Sequence, residues 1–207
     1  MIDNTVLFAF FSTSLILALS PGPDNLFVMA QSALKGRMAG LFVTLGLATG
    51  LIGHTAAVAF GLAALVRAST LAFSILKYIG AAYLLYLAWQ AFRAGIATGS
   101  KEDFQALSRG NLYRRGIIMN LTNPKVSLFF LAFLPQFADP RRGSMTQQFF
   151  LLGGIFISAT FIVFGLISFV AGGLGDKFSK SAFAQKIVNR TASVVFVGLA
   201  VKLAISK

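Results

Sequence analysis

The sequence contains no cysteine in 207 residues, which excludes disulfides, thiol redox chemistry and cysteine-ligated metals. Acid is scarce too: six Asp and Glu stand against eighteen Lys and Arg, with a single histidine. No His, Asp or Glu group has metal-ligand spacing, so neither a metal nor a cofactor is expected. Charged residues of both signs make up 12% of the chain, about half the roughly 25% of an ordinary soluble domain. What is abundant is apolar surface: 57% hydrophobic residues, 22 of them phenylalanine, and a mean hydropathy of +0.79. Such a chain is solvated by lipid, and its length leaves room for one domain, residues 1–207. The net charge of +12 is not the mark of a nucleic-acid binder, because the basic residues cluster in short connectors between apolar runs, where the positive-inside rule puts them.

A spanning helix needs about 20 mostly apolar residues. Six segments qualify: 5–33, 39–66, 70–93, 115–135, 146–172 and 186–205. The last is the weakest, since Lys186, Arg190 and Lys202 interrupt it. The N-terminus lacks a basic n-region and reads as a retained first span rather than a signal peptide. With both termini outside, the inner connectors collect eleven Lys and Arg and the outer side six, with Lys125 left inside the membrane. The polar stretch 95–111 reads as a cytoplasmic linker between three-span halves, 1–94 and 112–207. Three is odd, so if the halves are repeats they are inverted. The expected fold is therefore an all-α polytopic membrane bundle of two inverted three-helix repeats with broken first helices.

The breaks carry the functional signal. One is Ser20-Pro21-Gly22-Pro23-Asp24-Asn25; the other is Asn123-Pro124-Lys125. An offset of 101 residues lays Pro23-Asp24 over Pro124-Lys125. Proline within a helix removes a donor and exposes carbonyls, and in hydrocarbon such backbone survives only against protein or a water-filled cavity. Asp24 and Asn25 are candidate caps of the half-helix restarting at the first break, and Asn123 of the second. Amides at a half-helix N-terminus favour anions and exposed C-terminal carbonyls favour cations; two such ends facing one cavity suit a zwitterion. Asp24 and Lys125 then admit three readings: ligands of substrate or coupling proton, a structural salt bridge between halves, or charges that snorkel to a surface.

His54 follows Gly46 and Gly50 at four-residue spacing, so all three share a helix face that another helix can approach closely. It is a hydrogen-bonded interhelical histidine, a proton relay or a substrate ligand. The glycine stripe serves internal packing or a dimer interface equally well, which leaves a homo-oligomer open. Asn120, Gln136 and Gln31 are polar groups near the breaks, expected mainly as interhelical hydrogen-bonders, with Asn120 also a pathway candidate. Tyr78, Tyr83, Tyr86 and Trp89 suit packing or an interfacial belt.

The motifs at Ser20 to Asn25, Gly46 to His54, Lys77 to Leu84, Asn120 to Lys125 and Leu134-Pro135-Gln136-Phe137 together resemble the LysE/RhtB family of bacterial amino-acid exporters. The resemblance implies a cytoplasmic-membrane protein of six hydrophobic segments that exports amino acids such as homoserine, threonine, leucine or lysine, driven by the membrane's electrochemical gradient. It carries the family's proline signatures onto Pro21, Gly22, Pro23, Asn123, Pro124 and Lys125. On this reading the partners are an amino-acid substrate, the bilayer and a coupling proton, with no nucleic acid. The alternatives are a channel or structural subunit, for which ion-filter sequences are missing, and an intramembrane serine protease pairing Ser127 or Ser158 with His54, for which no nucleophile elbow exists.

Overall fold

Backbone in lipid must close its hydrogen bonds within each segment, and a helix does so locally. The computed structural model describes residues 2–20, 22–62, 70–93, 107–174 and 182–205, and among these it holds only helices and their connecting turns. The helices are α1 (Asn4–Leu19), α2 (Pro23–Lys35), α3 (Arg37–Ala57), α4 (Thr70–Arg93), α5 (Arg109–Leu121), α6 (Pro124–Leu128), α7 (Met145–Leu174) and α8 (Ala182–Ile205). A π-helical turn, Val58–Leu62, extends α3, and α6 runs through a second one, Phe129–Phe133, into a 3-10 turn at Leu134–Phe137.

Three helical stretches among the described residues are long and apolar enough to cross a membrane: Arg37–Gly61, Ser74–Arg93 and Met145–Gly173. Two bent pairs raise the number to five if each is one span: α1 with α2, bent by 63°, and α5 with the segment Pro124–Phe137, bent by 49°. Both pairs break where the prolines stand. The sixth expected segment, 186–205, lies on α8, which packs along α4.

Two boundaries differ from expectation. The second broken helix begins at Arg109 rather than at 115, because Ser108 caps it, its hydroxyl accepting from the Asn111 amide at 3.4 Å. Arg109, Arg114 and Arg115 therefore sit on helical turns, and the linker expected over 95–111 ends at Ser108. Of that linker, 95–106 lies outside the described residues, as does 63–66 of the second expected span.

Several helix pairings recur when the halves are exchanged, although the contacts of α2 with α3 and α7 have no counterpart in α6. The second helices of each half, α3 and α7, pack together, as do the third, α4 and α8. α3 crosses α5, and α7 crosses α1 and α2. α4 packs on the segment following α6, and α1 on α8. Two apolar cores result. One gathers Phe10, Phe129, Phe130, Phe133, Phe149 and Phe156; the other, on the side of the α2–α3 turn, gathers Phe27, Val28, Val43, Leu47, Leu112 and Phe164.

The α3–α5 crossing is the closest. A Cβ on Gly46 would land on the Tyr113 carbonyl and against the Gly116 Cα, and one on Gly116 would meet the Val43 carbonyl. Gly46 and Gly50 are thus consumed by contact within the chain. Because the obstruction is backbone, relief requires the helices to part. Gly46→Ala is expected to cost about 1–3 kcal/mol, read as a lowered thermal midpoint of the detergent-purified protein. Gly165→Ala, where a Cβ meets nothing within 4 Å, should leave the midpoint unchanged. Equal midpoints for the two variants would remove the close crossing from the account.

Candidate functional site

Pro21 lies outside the described residues; around it the first break is well defined. Gly22 occupies the N-cap position of α2 with no side-chain cap bond, and Pro23 follows at the first helical position. This corrects the expectation that Asp24 and Asn25 cap the helix. Proline's fixed φ is pre-organised for the first turn, so the cap falls before it and Asp24 is already inside the helix. Asn25 instead reaches back, its side-chain amide donating to the Ala18 carbonyl of α1 at 2.8 Å.

The second break follows its expected chemistry. Asn123 is the N-cap of α6, its side-chain oxygen accepting from the Lys125 amide at 3.0 Å, and Pro124 takes the first helical position. The other end of the Asn123 side chain donates to the Asp24 carboxylate at 2.8 Å, across 99 residues of sequence. Lys125 Nζ donates to the Ser20 carbonyl at the end of α1, at 3.1 Å. His54 Nε2 lies 3.1 Å from the Asn120 carbonyl near the end of α5; a carbonyl only accepts, so Nε2 carries the proton.

Each half thus satisfies groups that the break in the other exposes. The charges also match the helix ends that hold them. Asp24 stands in the first turn of α2, where the dipole favours an anion, and the Lys125 ammonium lies at the C-terminus of α1, where it favours a cation. Both residues are buried, at 4% and 9% exposure. Among the described residues no direct ion pair joins them. The structure therefore brings the two charges into one layer with no salt bridge between them, and neither snorkels to the surface, so of the three readings the one with both as ligands is left.

This layer lies between the two apolar cores and is not saturated. Asp24 Oδ1, Asn25 Oδ1 and Asn120 Oδ1 are buried with no hydrogen-bond partner. A Cβ on Gly22 would stand 3.2 Å from Lys125 Nζ and 3.8 Å from Asn25 Oδ1. Gly22 has φ −175°, open to any residue, so glycine is there for the space it leaves. The arrangement offers oxygens that accept from an ammonium and, beside them, a buried ammonium that can receive a carboxylate.

Other expectations fare differently. Ser20 entered the sequence reading only as part of a motif, yet its freed carbonyl is the anchor of Lys125; its place as the last residue before the break was the available signal. Gln31 is not the interhelical hydrogen-bonder expected of it: it is fully buried and both polar ends of its side chain lack a partner. Ser127 and Ser158 donate to the carbonyls of Asn123 and Gly154, one helical turn back. Neither is paired with His54, so the protease arrangement is absent. Tyr78, Tyr86 and Trp89 lie exposed on α4, with Arg93 over the Trp89 ring at 5.2 Å. No three metal-ligating side chains gather among the described residues.

The family model described as LysE type translocator matches residues 15–207. A homoserine/homoserine lactone efflux protein of Salmonella typhimurium is 42% identical over 144 residues, 70% of each chain. A leucine efflux protein of the same organism is 31% identical, covering 92% of this chain and 91% of its own. An uncharacterised membrane protein of Vibrio cholerae is 33% identical over 99% of both. No solved structure is significantly similar. With the family model spanning the helix breaks and nearly all of the chain, this protein belongs to the LysE-type translocators, a family of transporters and not of enzymes.

Proposed function

We propose that the protein is a secondary transporter that exports amino acids or close derivatives from the cytoplasm, and that the layer between the breaks is its substrate site. The observation that carries the proposal is the buried Asp24–Asn123–Lys125 layer with its unpaired oxygens. Placing either charge at mid-membrane costs about 2.5–3.5 kcal/mol on insertion scales, and each buried unpaired polar group adds about 1–3 kcal/mol. A zwitterion repays both. Its ammonium is received by Asp24 Oδ1, Asn25 Oδ1 and Asn120 Oδ1, and its carboxylate by Lys125. The relatives' names, efflux of homoserine and its lactone in one and of leucine in the other, supply the substrate class and the direction.

Six spans in two inverted repeats complete the proposal, with α8 as the sixth crossing. The helix pairings that recur between the halves support this, and so does the matched placement of Pro23 and Pro124 at the first position of their helices. The excess of basic residues on the inner connectors supports a bacterial cytoplasmic membrane location with both termini outside. Export is coupled to the membrane gradient, with Asp24 as the group that carries the coupling proton when the substrate ammonium has left. Against a channel stands the lack of any ring of charges or filter sequence.

Cells loaded with dipeptides of homoserine, threonine, leucine or lysine report which free amino acid leaves faster when the protein is expressed. Asp24→Asn and Lys125→Met are each expected to lower that efflux roughly tenfold or more, as loss of a charge-assisted bond of about 1.5–3 kcal/mol implies, with membrane insertion intact. Normal efflux by both variants overturns the site. In vesicles a carrier exchanges labelled for unlabelled amino acid; unsaturable flux without exchange indicates a channel instead. Gly22→Val tests the space beside Lys125. It should reach the membrane as well as the wild type and export several-fold more slowly, whereas an unchanged rate would show that the Lys125 ammonium does not need the room that Gly22 leaves.

A further inference from the structure

Gln31 is the polar side chain that the site does not use. It has 0% exposure, and neither its amide nitrogen nor its oxygen has a hydrogen-bond partner among the described residues. Its surroundings explain why. The core on this side of the breaks is built from Phe27, Val28, Ala39, Val43, Leu47, Leu112 and Phe164, which offer no polar atoms. The hydroxyls buried in the same helices spend their protons elsewhere, and none of their oxygens accepts from Gln31. Ser32 donates to the Val28 carbonyl, Thr44 to that of Gly40 and Ser168 to that of Phe164, each one turn back along its own helix. A buried amide left without any partner forfeits its hydration for nothing in return. In a transporter the missing partner is the cargo.

Position says which part of the cargo. Gln31 follows Asp24 by seven residues, two turns, so both lie on one face of α2 and about 10 Å apart along the axis. Side chains in a helix lean toward its N-terminus, which brings the Gln31 amide back toward the break. Between the two levels α2 presents Phe27 and Val28, both buried and apolar. The α2 face therefore reads, from the break inward, as charge, hydrocarbon, neutral amide. An amino acid whose side chain ends in a hydroxyl has the same order. In homoserine the amino nitrogen and that hydroxyl lie about 5 Å apart over four bonds of about 1.5 Å, and a hydrogen bond of about 2.9 Å at each end fills the interval.

We propose that Gln31 is a specificity-determining residue that hydrogen-bonds the neutral, polar side-chain end of the exported amino acid while the paired helix breaks hold its charged α-groups. This rests on the transport reading above. The ligand class is a small amino acid with an uncharged hydrogen-bonding side chain of that reach, homoserine being the simplest probe. A neutral amide presents both donor and acceptor, which matches a hydroxyl, and among the described residues the buried charges are Asp24 and Lys125 at the breaks, with none beside Gln31 to balance a charged side chain.

The test compares homoserine with leucine in the wild type, Gln31→Met and Gln31→Asn. Initial efflux rates from dipeptide-loaded cells are combined with the thermal shift that each amino acid gives the detergent-purified protein. Gln31→Met removes an unpaired amide from an apolar core, so without substrate it should be at least as stable as the wild type. It should lower the homoserine-to-leucine ratio about tenfold, the worth of one lost hydrogen bond at the upper end of its range, and abolish the homoserine thermal shift while keeping that of leucine. Gln31→Asn, a shorter amide, should fall between the two. Wild-type export with an unchanged ratio in Gln31→Met overturns the assignment and leaves the transport reading standing. So does a marked loss of stability in both variants without substrate, which would show that the amide holds the fold. A wild type that exports and binds neither amino acid overturns this assignment, and one that exports none of the amino acids supplied as dipeptides overturns the transport reading as well.

Discussion

A helix broken inside a membrane leaves backbone carbonyls and amides that lipid cannot satisfy, and the rest of this structure follows from how those groups are answered. Each break is answered largely from the other half of the chain. Lys125 takes the Ser20 carbonyl, Asn123 takes the Asp24 carboxylate, and His54 takes the Asn120 carbonyl. These bonds are the reason that two segments a hundred residues apart form one layer. They also explain why Asp24 and Lys125 lie together without pairing: each is already held by a helix end of suitable polarity. A direct ion pair would have satisfied the charges and left nothing for a ligand.

The surrounding structure isolates that layer. Apolar cores lie on either side of it, and the close α3–α5 crossing sets Asn120 against Gly50 with its carbonyl on His54. Burial makes the unpaired oxygens costly, and the cost gives them meaning. In water an idle amide oxygen is unremarkable, whereas in a layer sealed by phenylalanine it marks a place where something polar binds.

Much of this was legible in the sequence because proline and charge are so unfavourable in lipid that their presence alone marks the site. Pro23, Pro124, Asp24 and Lys125 stood out for that reason, and Gly46, Gly50 and His54 for their shared spacing. Asn123 as a cap followed from its place before Pro124. The misses have physical causes too. Cap assignment at the first break failed because Pro23 claims the first helical position itself and moves the cap to Gly22. The start of α5 was read late because Arg109, Arg114 and Arg115 look like a connector, while the Ser108 cap is a local signal that charge counting overlooks. Gln31 was misjudged because sequence shows that a side chain is polar and cannot show that no partner is within its reach.

The central claim is that the two breaks make one site for a zwitterion. Equilibrium binding to the purified protein tests it most directly, with the exported amino acid set beside its N-acetyl derivative and its methyl ester. The account predicts that the free amino acid binds and that blocking either the ammonium or the carboxylate weakens binding by about tenfold or more, as losing one charge-assisted contact requires. Equal affinity for all three would contradict it, since neither helix end would then be holding an α-group.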